Sequence, residues 1–286
     1  NGGDAERETL NIVNDRAGAP YFVDKEGEYW RAYLFIEDAT CFDQVESDGD
    51  FYQSALAFGN FQRLLADYPA ETLHETIPNF HNTVKRFADF KKAVEEDACG
   101  RAAEVQKEIR FVLEREQLAH TLVDLQEAGR LPLRVTHNDT KLNNIMIDNK
   151  TRKGICVIDL DTVMPGLSLN DFGDSIRFGA STAAEDEQDI SKVFCDLHLF
   201  EVYVKGFLKG CGGALTDLEV EMLPMGAILM TFECGMRFLA DHLEGDHYFR
   251  IHRENQNLDR ARTQFKLVWD MEQKLSEMKS IVEKYK

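Results

Sequence analysis

Apolar and polar positions along the chain divide it into a strand-rich start and a longer helical remainder. Residues 9–13, 21–23 and 29–36 form short apolar runs, and the last two flank the polar turn sequence DKEG at 24–27. Apolar runs of this length around such a turn are typical of an antiparallel hairpin. From about residue 48 onward, apolar side chains recur at helical spacing instead. The pattern therefore predicts a small β-rich piece followed by a mainly helical one.

The helical remainder is predicted to contain five helices and one cluster of short strands. Thr216 and Glu219 have the spacing of a capping box, so a helix begins there, and Pro224 predicts a kink within it. The predicted helices cover about residues 48–65, 100–129, 189–208, 216–243 and 258–285. The predicted strands cover residues 133–136, 145–147 and 155–158. Polar loops separate these strands, and loops on such a scaffold commonly carry chemistry.

The composition narrows the class of protein. Hydrophobic residues make up 43% of the 286 residues, which is enough for one large domain or two unequal ones. The net charge of −18 disfavours nucleic acid and anionic membrane as partners. No run approaches the roughly 20 apolar residues of a membrane helix, and the polar start does not resemble a signal peptide. The six cysteines lack C-x-x-C spacing, so we expect reduced thiols and a cytoplasmic protein.

One polar loop, His137 to Asn144, directly follows a predicted strand. Its sequence HNDTKLNN has the order H-x-D-x-K-x-x-N, which is the spacing of a kinase catalytic loop. Phosphoryl transfer needs a carboxylate at the acceptor hydroxyl, a cation at the transferring phosphoryl group and an oxygen ligand for Mg²⁺. The alternative interpretation is structural, because Asn and Asp residues after a strand commonly form turns. We predict that Asp139 and Lys141 are catalytic and that Asn144 binds metal.

A second polar loop follows the predicted strand at 155–158. Kinase folds place a metal-binding aspartate at the end of a hairpin that follows the catalytic loop, and Asp159 has that position. Because Mg²⁺ takes one or two carboxylates with phosphate oxygens and water, Asp159 and Asn144 are the predicted metal ligands. The string DFG at 171–173 also occurs at the metal site of protein kinases, but it lies too far along this chain. We expect Asp171 to hold the loops beneath the site.

Several strings together resemble the aminoglycoside phosphotransferase and choline kinase superfamily. They are HNDTKLNN at 137–144, VIDLDTVMPG at 157–166 and NDFGDSIRFG at 170–179. Within this superfamily, the longer strings are most similar to the branch of bacterial N-acetylhexosamine 1-kinases, and the likeness continues at 80–83, 233–237 and 257–260. The resemblance therefore covers most of the chain.

The resemblance implies an α+β, protein-kinase-like fold with two lobes. Residues 1–38 would be the remnant of a small, truncated, β-rich N-terminal lobe that binds nucleotide and ends in the hinge. Residues 39–286 would form the large, mainly helical C-terminal lobe for catalysis and acceptor binding. ATP would bind between the lobes, with Mg²⁺ as cofactor. The expected reaction phosphorylates N-acetylglucosamine or N-acetylgalactosamine at the anomeric hydroxyl and gives the sugar 1-phosphate.

The resemblance also implies roles for single residues. Backbone groups of the hinge would hold adenine, and the implied nucleotide-binding positions are Phe35, Glu37 and Ile158. The implied lining of the sugar pocket is Asp139, Asp159, Thr162, Arg237 and Tyr248. From the sequence alone, Arg237 has a second interpretation, which is an ion pair with Glu233 four positions earlier on one helix.

The sequence departs from the resemblance at its amino end. Kinases of this kind need a phosphate-covering loop and a strand lysine or equivalent cation for the nucleotide phosphates. Neither is visible before Tyr33, so the chain looks truncated. Two alternatives to a sugar kinase stay open: a kinase of choline, homoserine or an aminoglycoside, and a nucleotide-binding module without catalysis. The sugar epimer and the oligomeric state are not predicted.

Overall fold

The amino-terminal part of the chain forms small antiparallel ribbons. The structure, a computed structural model, describes residues 3–286. The short helix α1 is Ala5–Glu8, and the strands after it are β1 (Ile12–Val13), β2 (Phe22–Val23), β3 (Tyr29–Trp30) and β4 (Ala32–Tyr33). β1 pairs with β4, and β2 pairs with β3 across the turn at 24–27. The predicted hairpin is confirmed, although its second arm is divided between two ribbons.

The rest of the chain is mainly helical and contains the hydrophobic core. Its helices are α2 (Asp48–Leu64), α3 (Thr83–Glu96), α4 (Gln106–Leu113), α5 (Glu116–Glu127), α6 (Ser168–Gly179), α7 (Leu197–Cys211), α8 (Asp217–Glu244) and α9 (Gln256–Glu283). At the core centre, the ring of Phe172 on α6 contacts three aromatic rings of α7 at centroid distances of 5.3–5.9 Å. A small β-rich part and a large helical part confirm the predicted fold class.

Short strands within the helical part bring the two polar loops together. They are β5 (Ala39–Thr40), β6 (Arg134–Thr136), β7 (Ile145–Asp148), β8 (Gly154–Val157) and β9 (Met164–Gly166). β7 pairs with β5 and β8, and β6 pairs with β9. The loops after β6 and β8 are joined directly, because the N–H of Ile158 donates to the carbonyl of Asn144 at 3.0 Å. The strands predicted in this region are confirmed.

Two predicted helices differ from the structure. The single helix predicted at 100–129 is wrong, because the chain is divided into α4 and α5 around Arg115. At this break, the Arg115 guanidinium makes two hydrogen bonds of 2.9 Å to Glu272 on α9. The helix predicted from residue 189 begins only at Leu197, after its N-cap Asp196.

Helix α8 matches its predicted bounds and crosses the core. Thr216 and Glu219 form the predicted capping box, and the helix continues through Pro224. Contrary to the expectation from the sequence, α8 is long and apolar enough to cross a membrane, but 78% of its most apolar stretch is buried inside the protein. A Cβ on Gly173 of α6 would collide with the carbonyl of Gly226 on α8. These two helices therefore touch at their backbones and form one unit.

Candidate active site

The loop from His137 to Asn144 leaves β6 with a tightly held turn. Asn138 has φ 66°, a left-handed conformation that asparagine tolerates better than most residues. Its amide donates to the carbonyls of Thr136 and Thr162 at 3.2 and 2.8 Å and accepts from the Thr136 hydroxyl at 2.9 Å. These bonds fix the direction in which the next residue, Asp139, leaves the turn.

Asp171 lies beneath this loop, as predicted. Its carboxylate accepts the N–H groups of His137 and Asn138 at 2.9 and 2.8 Å and the side-chain amide of Gln62 at 2.6 Å. Burial raises the pKa of Asp171, and the neighbouring His137 and N–H donors only partly oppose this effect. Because 1% of the residue is exposed, the carboxylate supports the loop from inside the core.

Asp139, Lys141 and Asn144 meet on the open side of the loop. Oδ1 of Asp139 lies 2.8 Å from Nζ of Lys141. The Asn144 amide donates to the Asp139 carbonyl at 2.7 Å and to its Oδ2 at 3.2 Å. Burial disfavours the charge of Lys141, but the carboxylates of Asp139 and Asp174 outweigh this effect and raise its pKa. Lys141 is therefore cationic at neutral pH, and each Asp139 carboxylate oxygen has a donor.

Asn144 and Asp159 lie on the two joined loops, where their oxygens could serve one metal ion. Asp139 uses the amide nitrogen of Asn144, so the amide oxygen remains available. Asp159 is exposed and has φ 58° at the turn after β8. Across residues 3–286, no group of three or more His, Cys, Asp or Glu side chains is arranged to hold a metal. An amide oxygen and one carboxylate fit Mg²⁺ that keeps phosphate and water ligands.

A cavity of about 360 Å³ opens beside Asp139. Three residues predicted for the acceptor pocket, Asp139, Thr162 and Arg237, line it. Asp159 and Tyr248 were predicted for the same pocket but do not line it, and Tyr248 is 65% exposed. The other lining residues are Phe80, His81, Asn138, Lys141, Asp174, Arg177, Glu185, Met230, Glu233, Cys234, Phe238, Phe249, Arg250 and Arg260. The volume suits a small acceptor molecule.

Arg237 reaches the cavity from α8 and lies against aromatic rings. Its guanidinium carbon is 5.2, 5.5 and 5.3 Å from the ring centres of Phe80, Tyr248 and Phe249, and Nη2 donates to the Tyr248 hydroxyl at 3.2 Å. The ion pair with Glu233 that the sequence spacing suggests is long, at 4.0 Å. Contacts with the aromatic rings therefore set the direction of Arg237 more than the ion pair does.

The loop that carries Tyr248 and Phe249 is held by one carboxylate of α8. The backbone N–H groups of His247, Tyr248 and Phe249 donate to Asp241 at 2.8–2.9 Å. The side chain of Asn257 adds a further bond at 2.8 Å. Tyr248 thus lies outside the cavity lining but is fixed beside Arg237 by backbone bonds.

The carboxylates around the cavity are paired with cations. Arg177 of α6 donates to Asp174 at 3.0 Å and to Glu185 at 2.7 Å. Glu233 lies 2.9 Å from a ring nitrogen of His81. The remaining carboxylate, that of Asp139, pairs with Lys141 in the catalytic loop. The lining contains five lysines and arginines against four carboxylates. The cavity is therefore not acidic, although the chain carries a net charge of −18.

The three predicted nucleotide-binding positions lie in different settings. Phe35 is 84% exposed. Glu37 is also exposed, and its carbonyl accepts a hydrogen bond from Arg7 at 2.9 Å. The carbonyl of Ile158 accepts from His137 at 2.9 Å, so this residue belongs to the framework that joins the catalytic and metal loops. Nucleotide binding at these positions stays a prediction.

Some residues of the cavity wall were not predicted as site residues. Asp174 and Arg177 share α6 with Asp171, and their i,i+3 spacing could have indicated that all three face the catalytic loop. His81 gave no such local signal, because its partner Glu233 lies 152 positions away. Only the folded chain brings that pair together.

Comparisons with known proteins agree with this geometry. The family model described as "Phosphotransferase enzyme family" matches residues 5–194. Choline kinase from Cryptosporidium parvum Iowa II is a similar solved structure, with 14% identity, a TM-score of 0.58 and coverage of 97% of this chain and 76% of that one. An aminoglycoside phosphotransferase from Alicyclobacillus acidocaldarius has 12% identity and a TM-score of 0.60, with 97% and 78% covered. At these identities, the similarity demonstrates the fold.

A further solved structure contains a nucleotide analogue. It is an amicoumacin kinase in complex with AMP-PNP, Ca²⁺ and its ligand. Its identity is 13% and its TM-score 0.54, and the alignment covers 91% of this chain and 72% of that one. The fold seen here thus occurs in a protein that binds an ATP analogue.

Proposed function

Because the chain belongs to the phosphotransferase enzyme family, we propose that it transfers the γ-phosphate of ATP to a hydroxyl group of an uncharged sugar. The sugar we propose is N-acetylglucosamine or N-acetylgalactosamine, phosphorylated at its anomeric hydroxyl. The enzyme class, a phosphotransferase for small hydroxyl-bearing molecules, is the premise. The acceptor is the part that needs an argument from the cavity.

The observation that carries the choice of acceptor is the position of Arg237. A quaternary ammonium group is recognised by aromatic faces, often with a carboxylate nearby. Here the guanidinium of Arg237 already lies over the rings of Phe80 and Phe249. The lining carboxylates already have cationic partners. A cationic acceptor such as choline or an aminoglycoside would therefore meet the positive charge of Arg237 where it needs aromatic faces, whereas an uncharged sugar would not be repelled.

A sugar also suits the groups that remain available. Sugar pockets combine an apolar floor with a few fixed hydrogen-bond donors and acceptors. The side chain of Met230 adds apolar surface to the lining, and the guanidinium of Arg237 carries N–H groups that can donate to sugar hydroxyls. The hydroxyl of Thr162 is held by the carbonyl of His137 at 2.7 Å, so its oxygen keeps a fixed place at the cavity wall.

The proposed roles follow from the catalytic loop. Asp139 accepts the proton of the acceptor hydroxyl, and an anomeric hydroxyl is acidic enough for a carboxylate to serve as its base. Lys141 leaves its contact with Asp139 and neutralises charge on the transferring phosphoryl group. Asn144 and Asp159 are the proposed ligands of Mg²⁺, which supplies further positive charge at the phosphates when bound.

The test is a panel of acceptors offered to the full-length protein with ATP and Mg²⁺. The panel contains N-acetylglucosamine, N-acetylgalactosamine, choline, homoserine and an aminoglycoside, and the Asp139→Asn variant is the matched control. We expect turnover of at least one of the two sugars, with a ³¹P resonance coupled to the anomeric proton. Turnover of choline or homoserine with neither sugar would contradict the acceptor but keep the enzyme class. ATP binding without any turnover would favour the inactive module.

A further inference from the structure

His81 lies between the two halves of the site, and it is not part of the catalytic loop. Its Nδ1 is 2.9 Å from Oε1 of Glu233 on α8, and its Nε2 is 3.3 Å from the carbonyl oxygen of Asn138. The side chains of His81 and Glu233 are 8% and 1% exposed. The imidazole ring therefore spans the gap between the residue before Asp139 and the helix that carries Arg237.

The surroundings of the ring favour protons on both nitrogens. A backbone carbonyl only accepts, so Nε2 must donate to Asn138. On the other side, Glu233 has a buried Oε2 without a hydrogen-bond partner in the described part of the chain, and the nearest arginine nitrogen is 4.0 Å from Oε1. A buried carboxylate with so little compensation is strongly unfavourable unless a cation contacts it. Imidazolium at His81 satisfies both partners.

Charged groups on the neighbouring helices also favour the protonated form of His81. Burial disfavours the imidazolium and lowers the pKa of His81, and the positive charge of Arg237 on α8 acts in the same sense. The carboxylates of Glu233 on α8 and Asp174 on α6 outweigh both effects, so the pKa of His81 is raised. The loop side presents the neutral Asn138 carbonyl, and the Asp139–Lys141 pair lines the same cavity. A raised pKa extends the charged form of His81 to a higher pH than that of an unperturbed imidazole.

We propose that His81 is a positioning residue of phosphoryl transfer, whose doubly hydrogen-bonded ring holds the catalytic loop at a fixed distance from the acceptor-binding face of α8. The proposal rests on the proposed phosphoryl transfer but not on which acceptor is used. The hydrogen bonds of the ring go to Glu233 and Asn138, not to Asp139 or Lys141. It acts through Asn138 on the base Asp139, and through Glu233 on the helix that presents Arg237. An error of about 1 Å in such placement can reduce turnover by roughly 10²-fold.

The direction in which kcat changes with pH follows from the protonation of His81. Below its pKa in the folded protein, His81 donates to both partners, and turnover is full with respect to this group. As the pH rises through that value, the ring loses one donated proton and kcat falls. Glu233→Gln removes the main stabilising charge, so this alkaline limb should move to lower pH. His81→Gln cannot titrate, so its profile should lack the limb while the amide still donates to Asn138.

The experiment measures kcat, the KM for ATP and the pH profile of the full-length protein, using whichever acceptor of the panel is turned over. We expect His81→Phe to lower kcat roughly 10–100-fold with little change in the KM for ATP, and His81→Gln to restore part of it. Arg115→Gln, which breaks the pair with Glu272 outside the cavity, is the control. It should lower the melting temperature and leave the alkaline limb in place.

A second measurement needs neither acceptor nor variants. In protein labelled with ¹⁵N-histidine, both ring nitrogens of His81 should stay protonated to a higher pH than those of an unperturbed imidazole. A His81 ring that becomes neutral at or below the pH of an unperturbed imidazole would overturn the proposal. So would His81 variants that lose stability but keep the kcat and the pH limb of the unaltered protein. If none of the panel acceptors is phosphorylated but both ring nitrogens are protonated, the proposed acceptor fails and the bridge described here stands.

Discussion

Oδ1 of Asp139 and Nζ of Lys141 lie 2.8 Å apart, so the proposed base and the proposed phosphate ligand form an ion pair before any substrate is present. In the proposed mechanism, Lys141 turns toward the phosphoryl group while Asp139 accepts the proton of the acceptor. Proton acceptance and charge neutralisation are therefore linked steps, and a change at Asp139 should affect chemistry more than nucleotide binding.

Replacing Asp139 with Asn keeps the size of the side chain but removes its ability to accept a proton. We expect kcat to fall by roughly 10²–10⁴ while ATP affinity changes little. Steady-state kinetics and calorimetric titration with ATP measure the two quantities. Asp124→Asn on α5, an exposed carboxylate away from the cavity, is the matched control. Near-normal turnover of the Asp139 variant would refute its role as base.

Variants of Asp159 and Asp171 should distinguish a role in metal binding from a role in stability. Asp159 is exposed on the metal loop, so Asp159→Ala should abolish turnover and weaken Mg²⁺-dependent ATP binding with little loss of stability. Asp171→Ala leaves buried N–H donors unpaired and should cost on the order of 3 kcal/mol in the free energy of unfolding. Denaturant unfolding and Mg²⁺ titration distinguish them. If Asp171→Ala changed the Mg²⁺ dependence and Asp159→Ala did not, Asp171 would be the metal ligand instead of Asp159.

Arg237→Ala should affect the acceptor and not the nucleotide. Hydrogen bonds to charged groups contribute about 1.5–3 kcal/mol, which corresponds to a loss in kcat/KM for the acceptor of roughly 10–150-fold. The KM for ATP should remain nearly unchanged. Arg63→Ala, an exposed arginine at the end of α2, is the control. An equal loss for ATP and acceptor would show that Arg237 serves mainly to stabilise α8.

Gly173→Ala tests the backbone contact between α6 and α8. A methyl group at this position would collide with the carbonyl of Gly226, and overpacking of this kind typically costs about 1–3 kcal/mol. We expect the melting temperature to fall by several degrees, roughly 2–10 °C. Gly213→Ala is a useful comparison, because its surroundings are open and only its φ of 82° is unfavourable. Equal melting temperatures for Gly173→Ala and the unaltered protein would contradict the close contact.

The sequence predicts those parts of the molecule whose signals are local. The capping box at Thr216, the hairpin at 24–27 and the loop at 137–144 each lie within a few residues and need no distant partner. α6 was not predicted although Asp171, Asp174 and Arg177 recur on it at i,i+3 spacing, because these polar residues are buried and do not form the solvent-exposed face that is typical of an amphipathic helix.

Long-range partners explain what the sequence could not provide at the site. Arg115 at the break between α4 and α5 pairs with Glu272, and His81 pairs with Glu233. The proximity of Asp139 and Arg237 likewise depends on how α8 packs. A different case is α3, which was missed although Asn82 caps it and apolar residues recur along it.

The backbone contact of Gly173 and Gly226 has a consequence for attempts to evolve new acceptor preferences. Since α6 supports the catalytic loop and α8 presents Arg237, neither helix can shift to enlarge the cavity without disturbing the other. A mutant library should therefore leave both helix backbones intact and vary only side chains that face the cavity, namely those of Thr162, Arg237 and Phe249. Larger acceptors could be accommodated by remodelling the loop at 245–249, whose length can change while the contact between the two helices stays as it is.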